Sequence, residues 1–482
     1  MKPEEIYLLF CLIKSIGIGS KFSKKSIDIS KEFGVSLNVV TSLLATLKRT
    51  QSIVVEEQYS LKGRGQYSYT LTEKMLLNHD EFGVLGKIAQ TENPTISRLL
   101  KNELSGLVES EKPLENEVER IRLRSPFRAS NRLFLVLLLL HSNELGVVEE
   151  ISSTYLCKLM GGISADRFKS QLNTLKQFGL VQRYITGITG KELFGRAKGS
   201  YYLDIAHPFL KDGFVNTSSL LLDFNYSLYS CNESTEVKCL FDAYRHTWNT
   251  KEQKTDFILF KDYGWSPIMA GLVNSIPVQL VIHFFRNKAL HDQIHQWVYQ
   301  VAAELVVHPF TAIEDIQLNQ CSDKLVALLS MPKFLPATKK QSLFKGVSIV
   351  KKNKLRFHKG YLLSDALEFD RCIKENTQSL YCQYVALTKL ILMIGLQVSL
   401  RYKRLFELSG IDCEGLEKCL IIPLQTNHEH CFLHRVQFIR KDKKIEHVKF
   451  VIDKKSRASR VVSFRQVGSD RLIKMRDIYR MY

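Results

Sequence analysis

Two stretches of the chain, residues 4–75 and 130–206, carry the same succession of patterns. Each begins with an apolar helix, continues through a short helix, a glycine turn and a third helix, and ends in two strands. In the first stretch Ile29 and Phe33 are four apart, as one face of a short helix requires. Gly34 follows where a left-handed residue would end that helix, and Val35 can enter the core from the turn. Small Ser30 stands where the two helices would cross. Ser36 is placed as the N-cap of the next helix, whose Val40, Leu43, Leu44 and Leu47 make an inward stripe. The outward positions are then Ser36, Asn38, Thr41, Ser42 and Ala45, with Lys48 and Arg49 at the end. Ser52–Tyr59 and Gln66–Leu71 read as hairpin strands, and the tip between them carries Lys62 and Arg64.

The second stretch follows the same plan. Leu133 to Leu140 is so apolar that its helix must be buried nearly all round. Ser152–Met160 is the short helix, Gly161-Gly162 the turn, and Ser164 the cap of a third helix with Phe168, Leu172 and Leu175 inside. Arg167, Lys169, Ser170, Asn173 and Lys176 face out, where Arg and Asn suit two-pronged contacts to base edges. Val181–Thr186 and Ser200–Ile205 are the strands. The long connection between them carries Lys191, Arg196 and Lys198.

Over about residues 1–210 this pattern resembles the tandem winged helix-turn-helix DNA-binding proteins of bacterial type. The resemblance implies that the third helix of each copy enters the major groove and that the basic hairpin tips touch phosphate. The expected fold is therefore mainly α with small β-hairpins (α+β). It has two N-terminal winged-helix domains, residues 1–80 and 126–210, joined by a helical or acidic linker over 81–125. A mostly helical region, 211–350, and a mixed basic region, 351–482, follow. Upstream of the second copy, Arg120, Arg122, Arg124, Arg128 and Arg132 read either as an arm for phosphates or a minor groove, or as a solvated basic linker.

Charge agrees with that expectation. The 482 residues hold 68 Lys and Arg against 49 Asp and Glu, a net charge of +19, which favours a polyanionic partner. About half of the surplus lies in Arg435–Tyr482, with 15 basic and 5 acidic residues. Lys454, Lys455, Arg457 and Arg460 form its second cluster, suited to salt-dependent phosphate binding. The ten cysteines form no C-x-x-C pair, so a reducing, cytoplasmic and nucleoid-associated setting is expected. The N-terminus lacks the basic flank of a signal peptide, and no apolar run spans a bilayer; Tyr384 to Leu400 reads as a buried helix.

Signals of chemistry are sparse. His428, His430, Cys431 and His434 are zinc ligands by type, but their spacing matches no structural zinc pattern. Leu390–Leu408 bears a faint resemblance to the first conserved box of tyrosine recombinases, which would give Arg404 and Glu407 catalytic places and Lys454 that of a hairpin lysine. No histidine follows His447, so the family's downstream element is missing. Phosphate-loop, dinucleotide and H-E-x-x-H motifs are absent from the sequence. The expectation is a sequence-specific double-stranded DNA-binding protein, a transcription regulator, without cofactor. A replication-initiator-like origin binder and a degenerate recombinase-like mobile-element protein are the alternatives. The C-terminal half is left for a protein partner or self-association, and no membrane is involved.

Overall fold

The computed structural model describes residues 1–58, 66–79, 83–104, 107, 127–149, 151–190, 195–197, 199–225, 288–307, 411–424, 431–442, 447–453, 458–463 and 471–474, with scattered positions between 387 and 407. The chain divides into two compact units: Met1–Tyr184 with Gly199–Val215, and Ile185–Lys198 with Asn216–Tyr482. Both mix helices and strands.

In the first unit, α1 (Pro3–Ile16) starts on a proline, which needs no N–H there. The Glu5 carboxylate reaches back to accept the Lys2 backbone N–H at 2.8 Å. After β1 (Lys21–Phe22), α2 (Ser26–Phe33) ends at Gly34 with φ 61°, the left-handed cap expected there. The Ser30 hydroxyl donates to the Val35 carbonyl at 2.7 Å and pins the turn. Then α3 (Leu37–Arg49) buries Val40, Leu43 and Leu47, while Leu44 is only half-buried at the edge of the stripe. β2 (Ile53–Gln58) and β3 (Gln66–Leu71) pair antiparallel, and β1 joins the far side of β3, giving the order β1-β3-β2. Three short helices follow: α4 (Lys74–His79), α5 (Val84–Gln90) and α6 (Pro94–Leu100).

The plan is then repeated. α7 (Ala129–His141) is buried from Ala129 to Leu139, as its unbroken apolar run requires. β4 (Val147–Val148), α8 (Ser153–Leu159) and α9 (Ala165–Gln177) come next. β5 (Val181–Ile185) is separated from its hairpin partner by a smaller ribbon, β6 (Ile188–Gly190) with β7 (Gly195–Ala197). β8 (Ser200–Leu203) returns, and the sheet has the order β4-β8-β5, the same as in the first copy. The two expected hairpins are thus two three-stranded sheets. Their extra strands, only two residues long, are too short to show a period.

The two copies share one core. A single cluster of buried side chains includes Tyr7, Leu8, Phe33 and Leu43 from the first and Leu133, Phe134, Leu172 and Tyr201 from the second, with α1 packed along α7. Arg132 ties them together. It is 3% exposed, so it belongs to the interior and not to a DNA-seeking arm. Its Nη1 donates to the Tyr7 hydroxyl at 3.0 Å, the Phe33 carbonyl at 3.1 Å and the Asn102 side chain, and its Nη2 donates to the Gly34 carbonyl at 2.8 Å. The guanidinium also lies over the Tyr7 ring, 4.7 Å from its centre. Desolvating the cation costs several kcal/mol, roughly what these charge-assisted bonds return at about 1.5–3 kcal/mol each. The carbonyls it meets close α2, the end where the helix dipole is negative. The Tyr7 hydroxyl donates onward to the Leu99 carbonyl at 2.7 Å, and burial holds it protonated far above the usual range.

In the second unit, β9 (Ser218–Asn225) lies inside a six-stranded sheet. Helix α10 (Lys288–Val307) precedes β10 (Leu416–Leu424), β11 (Cys431–Arg440), β12 (His447–Asp453), β13 (Ala458–Ser463) and β14 (Arg471–Lys474). The order is β10-β11-β9-β12-β13-β14, and β9 runs parallel to β12 but antiparallel to β11. Ile294, Val298, Val301 and Leu305 of α10 are buried, and α10 packs on β10, where Leu420, Ile421 and Ile422 are buried. The apolar run expected as a buried helix contributes Leu387, Leu390, Ile391, Ile394 and Val398, helical and buried.

Candidate nucleic-acid interface

The outward face of α3 is neutral. Ser36, Asn38, Thr41, Ser42 and Ala45 are exposed, and Lys48 and Arg49 close the helix, also exposed. Ser36 has the extended backbone of an N-cap, but its hydroxyl accepts no cap hydrogen bond. Thr41 turns its hydroxyl back to the Leu37 and Asn38 carbonyls at 3.2 and 3.1 Å. Ser42 donates to the Glu5 carboxylate at 2.7 Å, so this hydroxyl is engaged by α1 and does not stand open as expected. Leu37 exposes 46% of its surface in the first turn.

The outward face of α9 is basic. Ser164 caps it by accepting the Arg167 N–H at 3.3 Å. Arg167, Lys169, Ser170 and Asn173 are all exposed, and Lys176 sits 5.8 Å from the centre of the Tyr184 ring. The Arg167 guanidinium pairs with Glu4 at 2.9 Å, both side chains partly in solvent. An exposed pair of this kind is worth about 0.2–1 kcal/mol.

The first turn of α1 touches both third helices, α3 through Glu5 and α9 through Glu4. Ser42 Oγ and Arg167 Nη2 are therefore no more than roughly 20 Å apart: two short bonds, two glutamate side chains and one Cα step of about 3.8 Å separate them. No local spacing points to this proximity, because the two helices lie far apart along the chain.

The hairpin residues fare differently. Lys62, Arg64, Lys191 and Lys198 lie outside the described residues, and Arg196 is described only as part of β7. The β6–β7 ribbon belongs to the second unit, where Gln293 of α10 donates to the Thr186 carbonyl at 2.8 Å. Lys454, Lys455 and Arg457 lie outside the described residues, and Arg460 falls within β13.

Most of the weak chemical signals fall outside the described residues. His428 and His430 lie outside the described residues, and Cys431 begins β11. His434 is 6% exposed and packs between aromatic rings, stacked on Tyr402 with a hydrogen bond between them and edge-on to Tyr299. Among the described residues no three His, Cys, Asp or Glu side chains are grouped to hold a metal ion. Arg404 lies outside the described residues, while Glu407 is exposed. Among the described residues no helix is long and apolar enough to cross a membrane. No protein-family model matches the chain, and no curated protein matches it either.

Proposed function

We propose that the chain binds double-stranded DNA with sequence preference through its first unit, each copy acting as a winged helix-turn-helix, and that it serves as a transcription regulator. The observation that carries this reading is the repetition of one element order and one strand order, with polar third-helix faces turned to solvent and a basic one on α9. Helices of this size match the width of the major groove, and Arg167 and Asn173 offer the side chains that pair with guanine and adenine edges. The tandem arrangement also favours the second reading, a replication-initiator-like origin binder. Footprinting separates the two, because an initiator protects repeated sites at an origin and a regulator one or two sites near a promoter.

The test of DNA reading is selection of duplexes from a random library by the full chain, followed by Arg167→Ala with Asn173→Ala on the selected site. Discrimination should fall by about 1–3 kcal/mol per lost base contact, more than affinity for random duplex falls. Equal losses on selected and random DNA would remove α9 from base reading.

A further inference from the structure

Resting on the DNA-binding reading, we infer that the first unit is an intramolecular counterpart of a two-fold dimer, and that its ligand is one imperfect inverted repeat held at fixed spacing by a single chain. The contacts between the copies are reciprocal, as in an isologous interface. The first helices α1 and α7 pack against each other. At the start of α1, Met1 and Ile6 lie against Gly161, in the turn before α9; a Cβ there would come within 2.4 Å of the Met1 carbonyl and 3.2 Å of Ile6. At the start of α7, Arg132 binds the carbonyls of Phe33 and Gly34, in the turn before α3.

Ile6 and Arg132 hold the same place, the fourth residue of their helices. Each first helix also holds the third helix of its own copy, Glu5 bonding Ser42 and Phe134 packing on Phe168 at 4.9 Å between ring centres. One exchange of copies therefore maps the contact of Ile6 with the turn at Gly161 onto that of Arg132 with the turn at Phe33 and Gly34, and the hold of each first helix on its own third helix onto that of the other. Such an exchange describes rotation about an axis between α1 and α7, not translation along the chain.

Two-fold relation of reading helices dictates dyad relation of the base pairs they read, so the two half-sites run in opposite directions. Their chemistry differs. The α9 half meets Arg167, Lys169 and Asn173, while the α3 half meets Asn38, Thr41 and exposed Leu37, which suits the methyl group of thymine. The dyad is accordingly imperfect in sequence. The shared core leaves no slack between the helices, so the spacing is rigid and the halves belong to one element, set close together by the approach of α3 and α9 to the first turn of α1.

The experiment uses the full chain and duplexes selected from a random-sequence library. Selected sites should share an imperfect inverted repeat, bound by one chain as measured by sedimentation. Inserting about five base pairs at its centre should weaken binding on the order of a hundredfold, since one half-site then faces away. Direct repeats, a single undivided element, tolerance of the insertion, or two chains per repeat would each overturn this inference and leave sequence-selective DNA binding standing. Enrichment of no sequence at all would overturn both.

Discussion

The two copies of the first unit follow one plan but secure the neighbouring turn by different means. In the first, Ile6 meets Gly161 by apolar contact; in the second, Arg132 grips Phe33 and Gly34 by hydrogen bonds. The outer faces differ as well, neutral on α3 and basic on α9. A duplicated fold thus keeps its geometry while the two halves diverge in chemistry. Apolar contact loses little when one partner shrinks, whereas a buried cation leaves every acceptor unmatched when it is removed.

That asymmetry sets the largest expected effect. Arg132→Met should destabilise the protein by about 3–5 kcal/mol, because three carbonyl or amide oxygens and the Tyr7 hydroxyl lose their donor in the interior. Ile6→Ala, at the matching position but half-buried, should cost about 1–2 kcal/mol. Urea unfolding of the two variants makes the comparison, and a smaller loss for Arg132→Met would show that the guanidinium is not what holds the copies together.

The glycine turns sharpen the same contrast. Gly161 has φ +80° and almost no room, whereas Gly162 has φ +75° and no atom within 4 Å of an added Cβ. Gly162→Ala should cost about 1 kcal/mol, the left-handed backbone alone. Gly161→Ala should cost about 2–3 kcal/mol, because the start of α1 must also shift. Equal unfolding midpoints for the two would mean that the N-terminus does not rest on this turn.

Much of this was legible in the sequence where the physics is local. Gly34 as a left-handed cap, Ser164 as a bonding N-cap and the Val40, Leu43 and Leu47 stripe follow from spacing within one or two turns. Arg132 did not follow, since a run of arginines looks the same whether it meets water or carbonyls. The signal was present in the next residues: a helix apolar on all sides from Leu133 must bury its first turn too, and Arg132 is in it. The pairing of β9 with strands some two hundred residues later had no local signal at all. Likewise, nothing in the spacing of Glu4 or Glu5 pointed to Arg167 or Ser42, because those bonds depend on how the copies pack.

Those two glutamates provide the smallest and most discriminating comparison. Glu5 is buried, bonded to Ser42 and to the Lys2 backbone, and so holds α1 in shape. Glu5→Gln should cost about 1 kcal/mol by weakening both bonds, with little effect on DNA affinity. Glu4 is more exposed and holds Arg167 in a partly solvated ion pair, so Glu4→Gln should change stability by less than about 0.5 kcal/mol. On the proposed function, its consequence lies in binding. Removing a negative charge beside the basic face of α9 releases Arg167 and should raise affinity for any duplex by about twofold to fivefold at low salt, the gain fading as salt screens it. Fluorescence anisotropy with random duplex at two salt concentrations reads both variants. If Glu5→Gln gives the larger gain, or Glu4→Gln gives none at low salt, the Arg167 face of α9 is not the DNA-binding face proposed for it.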